Sequence, residues 1–240
     1  MVYRRRYGRS LKKKSVLERW SLTNIIILIN VVVFFLVSFI GVLFVSSNNG
    51  IGVEKLISYV ALSPELVFHG FVWTFITSMF MHGSFTHLFV NMVSLFFVGT
   101  FVEKLIGRKR FLWFYLISGI VAGLFFVGLA YVGQFLPNGL ALFGGLSDSA
   151  VGASGAIFGL AGLLAILIPR LKVLVFFIIP MPMWLAMIVL LFGLWAFSLA
   201  GSLPIGNTAH LGGAVVGVVY GLYLRKKYSR KVKMLNRMFV

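Results

Sequence analysis

The chain has 240 residues, of which 60% are hydrophobic, 16% aromatic and only 11% charged, with a mean hydropathy of +1.02. A soluble domain of this length carries about 25% charged residues, so the composition excludes an ordinary water-soluble enzyme and a disordered chain. It leaves an integral membrane protein built of helices. The 22 Lys and Arg against 5 Asp and Glu give a net charge of +17, which suits either a nucleic-acid partner or the charge bias that orients membrane helices. The absence of cysteine excludes disulfides, thiolate metal sites and a cysteine nucleophile.

A helix needs about 20 apolar residues to cross the hydrocarbon. The sequence predicts six such spans, at 24–45, 84–105, 111–132, 151–168, 182–200 and 205–224. The fifth starts near Pro182, because Pro180 and Pro182 break a helix begun earlier. Eight basic residues precede the first span, four lie between spans two and three, two between four and five, and seven follow the sixth. Only Lys55 lies on the other side, so alternating sides hold 21 and 1. The positive-inside rule then places both ends of the chain in the cytoplasm, and no nucleic-acid partner is expected. The predicted fold is an all-α polytopic membrane protein. It comprises a basic cytoplasmic segment 1–23, a six-helix membrane domain 24–224 and a basic cytoplasmic tail 225–240.

The first run is read as a retained span, since it is longer than a leader's apolar core and Phe44-Val45-Ser46-Ser47 is a poor small-x-small cleavage site. The loop 46–72 is too apolar to float in water. It is expected to lie partly in the outer interface as short amphipathic helices anchored by Trp73, with His69 a residue of that interface.

Polar groups at membrane depth are costly, so each is a candidate for function. Near the outer ends of spans two, four and six stand His87 and Asn91, then Ser154, then Asn207 and His210. At about 1.5 Å per residue, Ser154 falls roughly 5 Å along span four and His210 roughly 8 Å along span six. His87 and Asn91 share one helix face. His82 and His87 stand about 140° apart on a helix and are poorly placed to serve one site. No carboxylate backs them either, so no metal and no cofactor is expected.

Gly155 and Gly159 in span four make a small-xxx-small pair, and Gly213, Gly217 and Gly221 form a ridge on the His210 face of span six. Small residues let helix backbones approach closely. If these ridges pack together, Ser154 and His210 come within hydrogen-bond reach; the glycines alone fit simple helix packing equally well. A serine hydroxyl is a weak nucleophile until a base takes its proton, and His210 is a natural base. Asp148 and Glu103 are not placed to orient it, so the pair is a dyad. Phe158, four residues after Ser154, shares its helix face and either stacks on the imidazole or fills core. Asn91, His87 and the Ser154 backbone N–H are candidate donors to a tetrahedral oxyanion.

Gly152-Ala153-Ser154-Gly155, Ala209-His210 followed by Gly213 and Gly217, and His87-Leu88-Phe89-Val90-Asn91 together resemble the rhomboid intramembrane serine proteases. The resemblance extends to Glu103 and Gly107 and covers about 55–224. It implies Ser154 as nucleophile, His210 as base, His87 and Asn91 as oxyanion donors and Phe158 stacked on the base. It further implies a six-helix rhomboid-like bundle that cleaves transmembrane segments of other proteins within the lipid bilayer. Trp73-Thr74 departs from the Trp-Arg of many members. By the same resemblance span five and the loop before span six form the movable side of the site, where Trp195 and Phe197 either close a lateral entry or face lipid. Two other readings compete. A rhomboid-like binding protein without catalysis would be marked by loss of the serine or histidine; a transporter would carry ionisable groups through the inner halves of the spans.

Overall fold

The computed structural model describes residues 20–47, 57–176, 178–201 and 206–239. The basic segment 1–19, part of the first loop at 48–56 and the loop 202–205 lie outside the described residues. The apolar run after Ser21 forms α1 (Leu22–Ser47). The described part of the first loop includes the short helices α2 (Pro64–Phe68) and α3 (Thr74–Thr77), the latter continued by a 3-10 turn at Ser78–Phe80. Proline opens α2, where its missing N–H has no intrahelical partner to lose. The Ser84 hydroxyl accepts the His87 N–H at 3.1 Å and starts α4 (Phe85–Ile106), which contains a π turn at Leu95–Gly99. Gly107, at φ 85°, turns the chain directly into α5 (Arg108–Gly133). After α6 (Gly139–Phe143) comes α7 (Ser154–Leu167). Strands β1 (Lys172–Val175) and β2 (Ile179–Pro182) form an antiparallel hairpin that leads into α8 (Met183–Gly201), itself carrying a π turn at Val189–Gly193. Helices α9 (Asn207–Lys227) and α10 (Ser229–Arg237) complete the chain.

Four of these helices, α1, α4, α5 and α8, are long and apolar enough to cross a membrane. Helix α7 is apolar but has only 14 residues, and in the 21-residue α9 Asn207, His210 and four glycines dilute the hydropathy. Length and composition therefore support four of the six expected spans. The reason lies in position: every residue of α7 from Gly155 to Leu164 is buried by protein, so α7 need not match the hydrocarbon in its own right.

The core is a close contact of α5, α7 and α9. A Cβ added at Gly213 would strike the Gly155 carbonyl, and one at Gly217 the Gly159 carbonyl. On the other side of α7, a Cβ at Gly159 would lie 2.5 Å from Ser118 Oγ and one at Gly155 would lie 2.6 Å from Ala122 Cβ. No side chain separates the α7 and α9 backbones and only small ones lie between α7 and α5, and van der Waals packing of this kind is what holds helices together in lipid. Phe35, Phe39, Phe97, Phe192 and Val219 are exposed on the outside of the bundle. So large an apolar surface is soluble only in a bilayer.

Three features depart from expectation. The hairpin occupies a stretch read as loop; its prolines are tolerated because a two-stranded sheet has only edges. The segment read as a basic tail contains α10, whose Val232 and Leu235 pack back on the bundle while Asn236 Nδ2 donates to the Leu167 carbonyl at 2.7 Å. That bond satisfies an end carbonyl of α7. Span four starts at Ser154 rather than at 151, because Gly152 stands at φ 123° and the preceding residues form a turn. Ser154 is thus the first residue of its helix, not one 5 Å within it.

Candidate active site

Ser154 is half-buried at the N-terminus of α7, and His210 is buried on the first turn of α9. Their side chains meet: His210 Nε2 lies 2.9 Å from Ser154 Oγ. The glycine contacts fix this distance, since α7 and α9 touch backbone to backbone just below it. Phe158 lies against the other face of the interaction, with its ring stacked on the imidazole at 4.3 Å between centroids and 15° between planes. His210 Nδ1 is buried without a hydrogen-bond partner. Neither candidate carboxylate approaches it. Asp148 Oδ2 accepts the Gly145 N–H at 2.8 Å within its own loop. Glu103 accepts from Leu22 N, Thr23 N and Thr23 Oγ1 at 2.8, 2.9 and 2.8 Å.

The donors assemble around Gly152. A Cβ there would lie 2.8 Å from both Cε1 and Nε2 of His87 and 3.6 Å from Asn91 Nδ2. Glycine is thus required twice, for its positive φ and for the space. Asn91 is buried and donates one Nδ2 hydrogen to the His87 carbonyl at 3.1 Å, which leaves the second hydrogen of the amide. The backbone N–H groups of the first α7 turn precede the helix's internal bonds and carry the positive end of its dipole. A negative oxygen beside Ser154 would therefore face an amide, an imidazole and a helix N-terminus.

The outer loops hold this group in place. Gly152 N donates to Ser78 O at 2.8 Å, Leu62 and Ala150 exchange backbone bonds of 3.0 and 2.8 Å, and Glu65 N donates to Leu146 O at 3.0 Å. Trp73 Nε1 donates to Tyr59 O at 2.8 Å, Tyr59 stacks on Phe71, and Trp73 packs tilted against Phe71. Thr74, in the position where many members of the resembled family carry Arg, is fully buried and donates to Phe71 O at 2.5 Å. His69 lies away from the site, with Nδ1 2.8 Å from the carbonyl of Glu65. On α8, Trp195 Nε1 donates to Leu142 O at 3.2 Å and its ring meets Phe143 edge-on, while Phe197 is exposed.

His82 corrects one sequence argument. It stands in the turn before α4 rather than on the helix, so the 140° separation does not apply. Its ring is 5.1 Å from that of His87. Burial, and then the neighbouring His87, push the His82 imidazole down to about 4, with the Phe80 backbone opposing in part. Among the described residues no three His, Asp or Glu form a group able to hold a metal ion. The sequence reading also missed the small row Ser118, Gly119, Ala122 and Gly123 on α5, which fills the glycine notches of α7 and receives Met79 and Phe75 from the first loop. Its four-residue spacing was the available signal.

A helical membrane protein with a serine–histidine pair between two glycine-packed helices is the class that fold and site define. A family model described as the rhomboid domain matches residues 69–227. Rhomboid protein 1, mitochondrial, of Saccharomyces cerevisiae is 34% identical over 173 residues, covering 68% of this chain and 46% of that protein. Rhomboid protease AarA of Providencia stuartii is 31% identical over 214 residues, covering 84% of this chain and 72% of that protein. Rhomboid protease GluP of Bacillus subtilis is 32% identical over 142 residues, covering 59% of this chain and 24% of that protein. The chain belongs to the rhomboid family. It spans about half the length of the yeast relative and about a quarter of GluP.

Proposed function

We propose that this protein is an intramembrane serine endopeptidase that hydrolyses peptide bonds in or near transmembrane segments of other membrane proteins. The observation that carries the reading is the 2.9 Å approach of His210 Nε2 to Ser154 Oγ. His210 takes the hydroxyl proton as Oγ attacks the peptide carbonyl carbon. The carbonyl oxygen becomes an oxyanion held by Asn91, His87 and the Ser154 N–H, where one such donor is worth about 3 kcal/mol. Protonated His210 then gives its proton to the leaving amine, and a serine ester remains. Water, deprotonated by His210, releases the acid product and restores the hydroxyl. Because Nε2 accepts, the resting proton of the ring sits on Nδ1. Phe158 offers its π face to the imidazolium that forms, an attraction of about 0.5–2 kcal/mol.

The bundle is read as six spans, with α7 and α9 crossing inside a sheath of the longer helices, and with Ser154 near the outer surface. Both ends of the chain lie in the cytoplasm by the 21-to-1 distribution of basic residues. That orientation suits a plasma membrane; the yeast relative named as mitochondrial makes an organelle membrane the alternative. Trp195, tied to α6, is the side chain best placed to control lateral entry of a substrate helix beside α8.

Purified protein is expected to react with a fluorophosphonate probe and to cleave transmembrane substrates in proteoliposomes. Ser154→Ala and His210→Ala should each lower cleavage by on the order of 10³-fold or more. Cleavage that survives either substitution overturns the assignment, and stable substrate binding without probe reaction would indicate a binding protein instead.

A further inference from the structure

We propose that the groove between α5 and α9, at the end of the bundle away from Ser154, binds one anionic phospholipid. The groove is open along its outer side, offers about 480 Å³ and is lined by Lys109, Arg110, Trp113, Ile117, Val216 and Tyr220. Ligand sites occupy roughly 300–1,000 Å³, so this volume accepts a headgroup and the first part of an acyl chain. The lining is amphiphilic along its length. Lys109 and Arg110 stand at the membrane boundary on the first turn of α5, and Trp113 and Ile117 follow on the same face at helical spacing. Val216 and Tyr220 supply the opposite wall from α9, and Phe114 closes against Tyr220 with ring centroids 4.9 Å apart.

The charge around the mouth selects the ligand. Arg108 is already bound to the Trp20 carbonyl, but among the described residues no carboxylate pairs with Lys109 or Arg110. Glu103 is committed to α1 and Asp148 to its own loop, while Glu65 stands on α2 in the first loop, at the Ser154 end of the bundle. Lys227 at the end of α9 lies within electrostatic range of Arg110 and adds a third cation. The positive end of the α5 dipole neutralises none of this. Trp113 and Tyr223 are exposed at this level, as aromatic side chains are at a headgroup boundary. A zwitterionic headgroup brings its own cation into this cluster and is disfavoured. A free anion would leave the apolar trough unused. A phosphodiester carrying acyl chains fits both halves, with phosphate on Lys109 and Arg110 and a chain along Trp113, Ile117 and Val216. This inference requires that the protein spans a membrane, and it is independent of proteolysis.

The test is native mass spectrometry of the full chain after delipidation, titrated separately with phosphatidylglycerol, phosphatidylcholine and glycerol 3-phosphate. One phosphatidylglycerol should be retained about tenfold more strongly than phosphatidylcholine, since each basic residue near an anionic surface contributes a several-fold preference. The preference should vanish in a Lys109→Gln, Arg110→Gln double variant. Val216→Trp, which fills the trough and keeps the cations, should lose the lipid as well. Circular dichroism verifies that each variant is folded, and brominated phosphatidylglycerol quenching of tryptophan fluorescence gives a second readout on the unaltered protein. Equal retention of the two lipids, an undiminished preference in the double variant, or equally tight binding of glycerol 3-phosphate would each overturn the proposal.

Discussion

Phe158 lies face to face with His210, with 4.3 Å between ring centroids and 15° between planes. With Nδ1 unpartnered, this stack and the Ser154 contact are what orient the imidazole. Removing the ring should therefore act on chemistry more than on binding. Phe158→Leu keeps much of the volume and loses the stack, worth about 0.5–1.5 kcal/mol for such a pair. The expected result is a kcat lower by roughly 3- to 10-fold with KM little changed, measured on a transmembrane substrate. Phe158→Tyr should retain most of the rate. A drop in KM-dependent terms alone would mean that Phe158 shapes the substrate pocket instead.

The α7–α9 contact makes a second, sharper expectation. A Cβ at Gly213 runs into the Gly155 carbonyl, and neither backbone can yield without separating Ser154 from His210. Gly213→Ala should cost about 1–3 kcal/mol of stability and reduce labelling by a fluorophosphonate probe far more than Phe158→Leu does. Gly128 on α5 provides the control, because nothing lies within 4 Å of a Cβ placed there. Gly128→Ala should be neutral or stabilising by up to about 1 kcal/mol, from helix propensity alone. Thermal unfolding in detergent separates the two.

The parts of this arrangement that were legible in the sequence are those where a polar residue interrupts an apolar run. Ser154, His210, His87 and Asn91 stand out because lipid makes polarity conspicuous, and the glycine ridges indicate which helices touch. What was not legible depends on backbone conformation. The φ of Gly152 decides where α7 begins, and no periodicity encodes it. The turn at Gly83 and Ser84 decides that His82 is off the helix, so an angular argument built on a continuous helix failed there. Helix α10 was hidden by its own charge: Arg230, Lys231, Lys233 and Arg237 obscure Val232 and Leu235, whose spacing places them on one packed face. The small row of α5 escaped notice because Ser118 and Ala122 look unremarkable until the notches they fill are seen.

Glu103 ties α1 to the bundle from the far end. Its carboxylate accepts both free N–H groups of Leu22 and Thr23 and the Thr23 hydroxyl, all within 2.9 Å. Among the described residues few other polar contacts hold α1, whose outer face is apolar and exposed. Glu103→Ala leaves those buried donors unsatisfied and should cost about 1–3 kcal/mol, with Glu103→Gln milder because one oxygen still accepts. Thr23→Val, which removes only the hydroxyl bond, should cost about 1 kcal/mol. Because the contact is remote from Ser154, probe labelling of the folded fraction should stay near wild type in all three variants. Thermal unfolding combined with active-site titration tests both halves of this statement.

His82 should make stability depend on pH. Its imidazole is pushed from 6.5 down to about 4, chiefly by burial and then by the adjacent His87 ring, against the Phe80 backbone. The unfolded chain therefore binds a proton near pH 6.5 while the folded chain resists it until near pH 4. Between those values the unfolded state holds more protons, so stability falls as pH falls; above the window the contribution is constant, and below it no further loss arises from this group. The melting temperature in detergent should thus decline from pH 6.5 towards 4 and level off below. His82→Phe fills the same space without a titrating nitrogen, and its decline across that window should be shallower. An unchanged slope in the variant would assign the acid sensitivity to another group. The substitution also separates stability from chemistry, because the Ser154–His210 contact does not pass through His82 and its probe reactivity at neutral pH should persist.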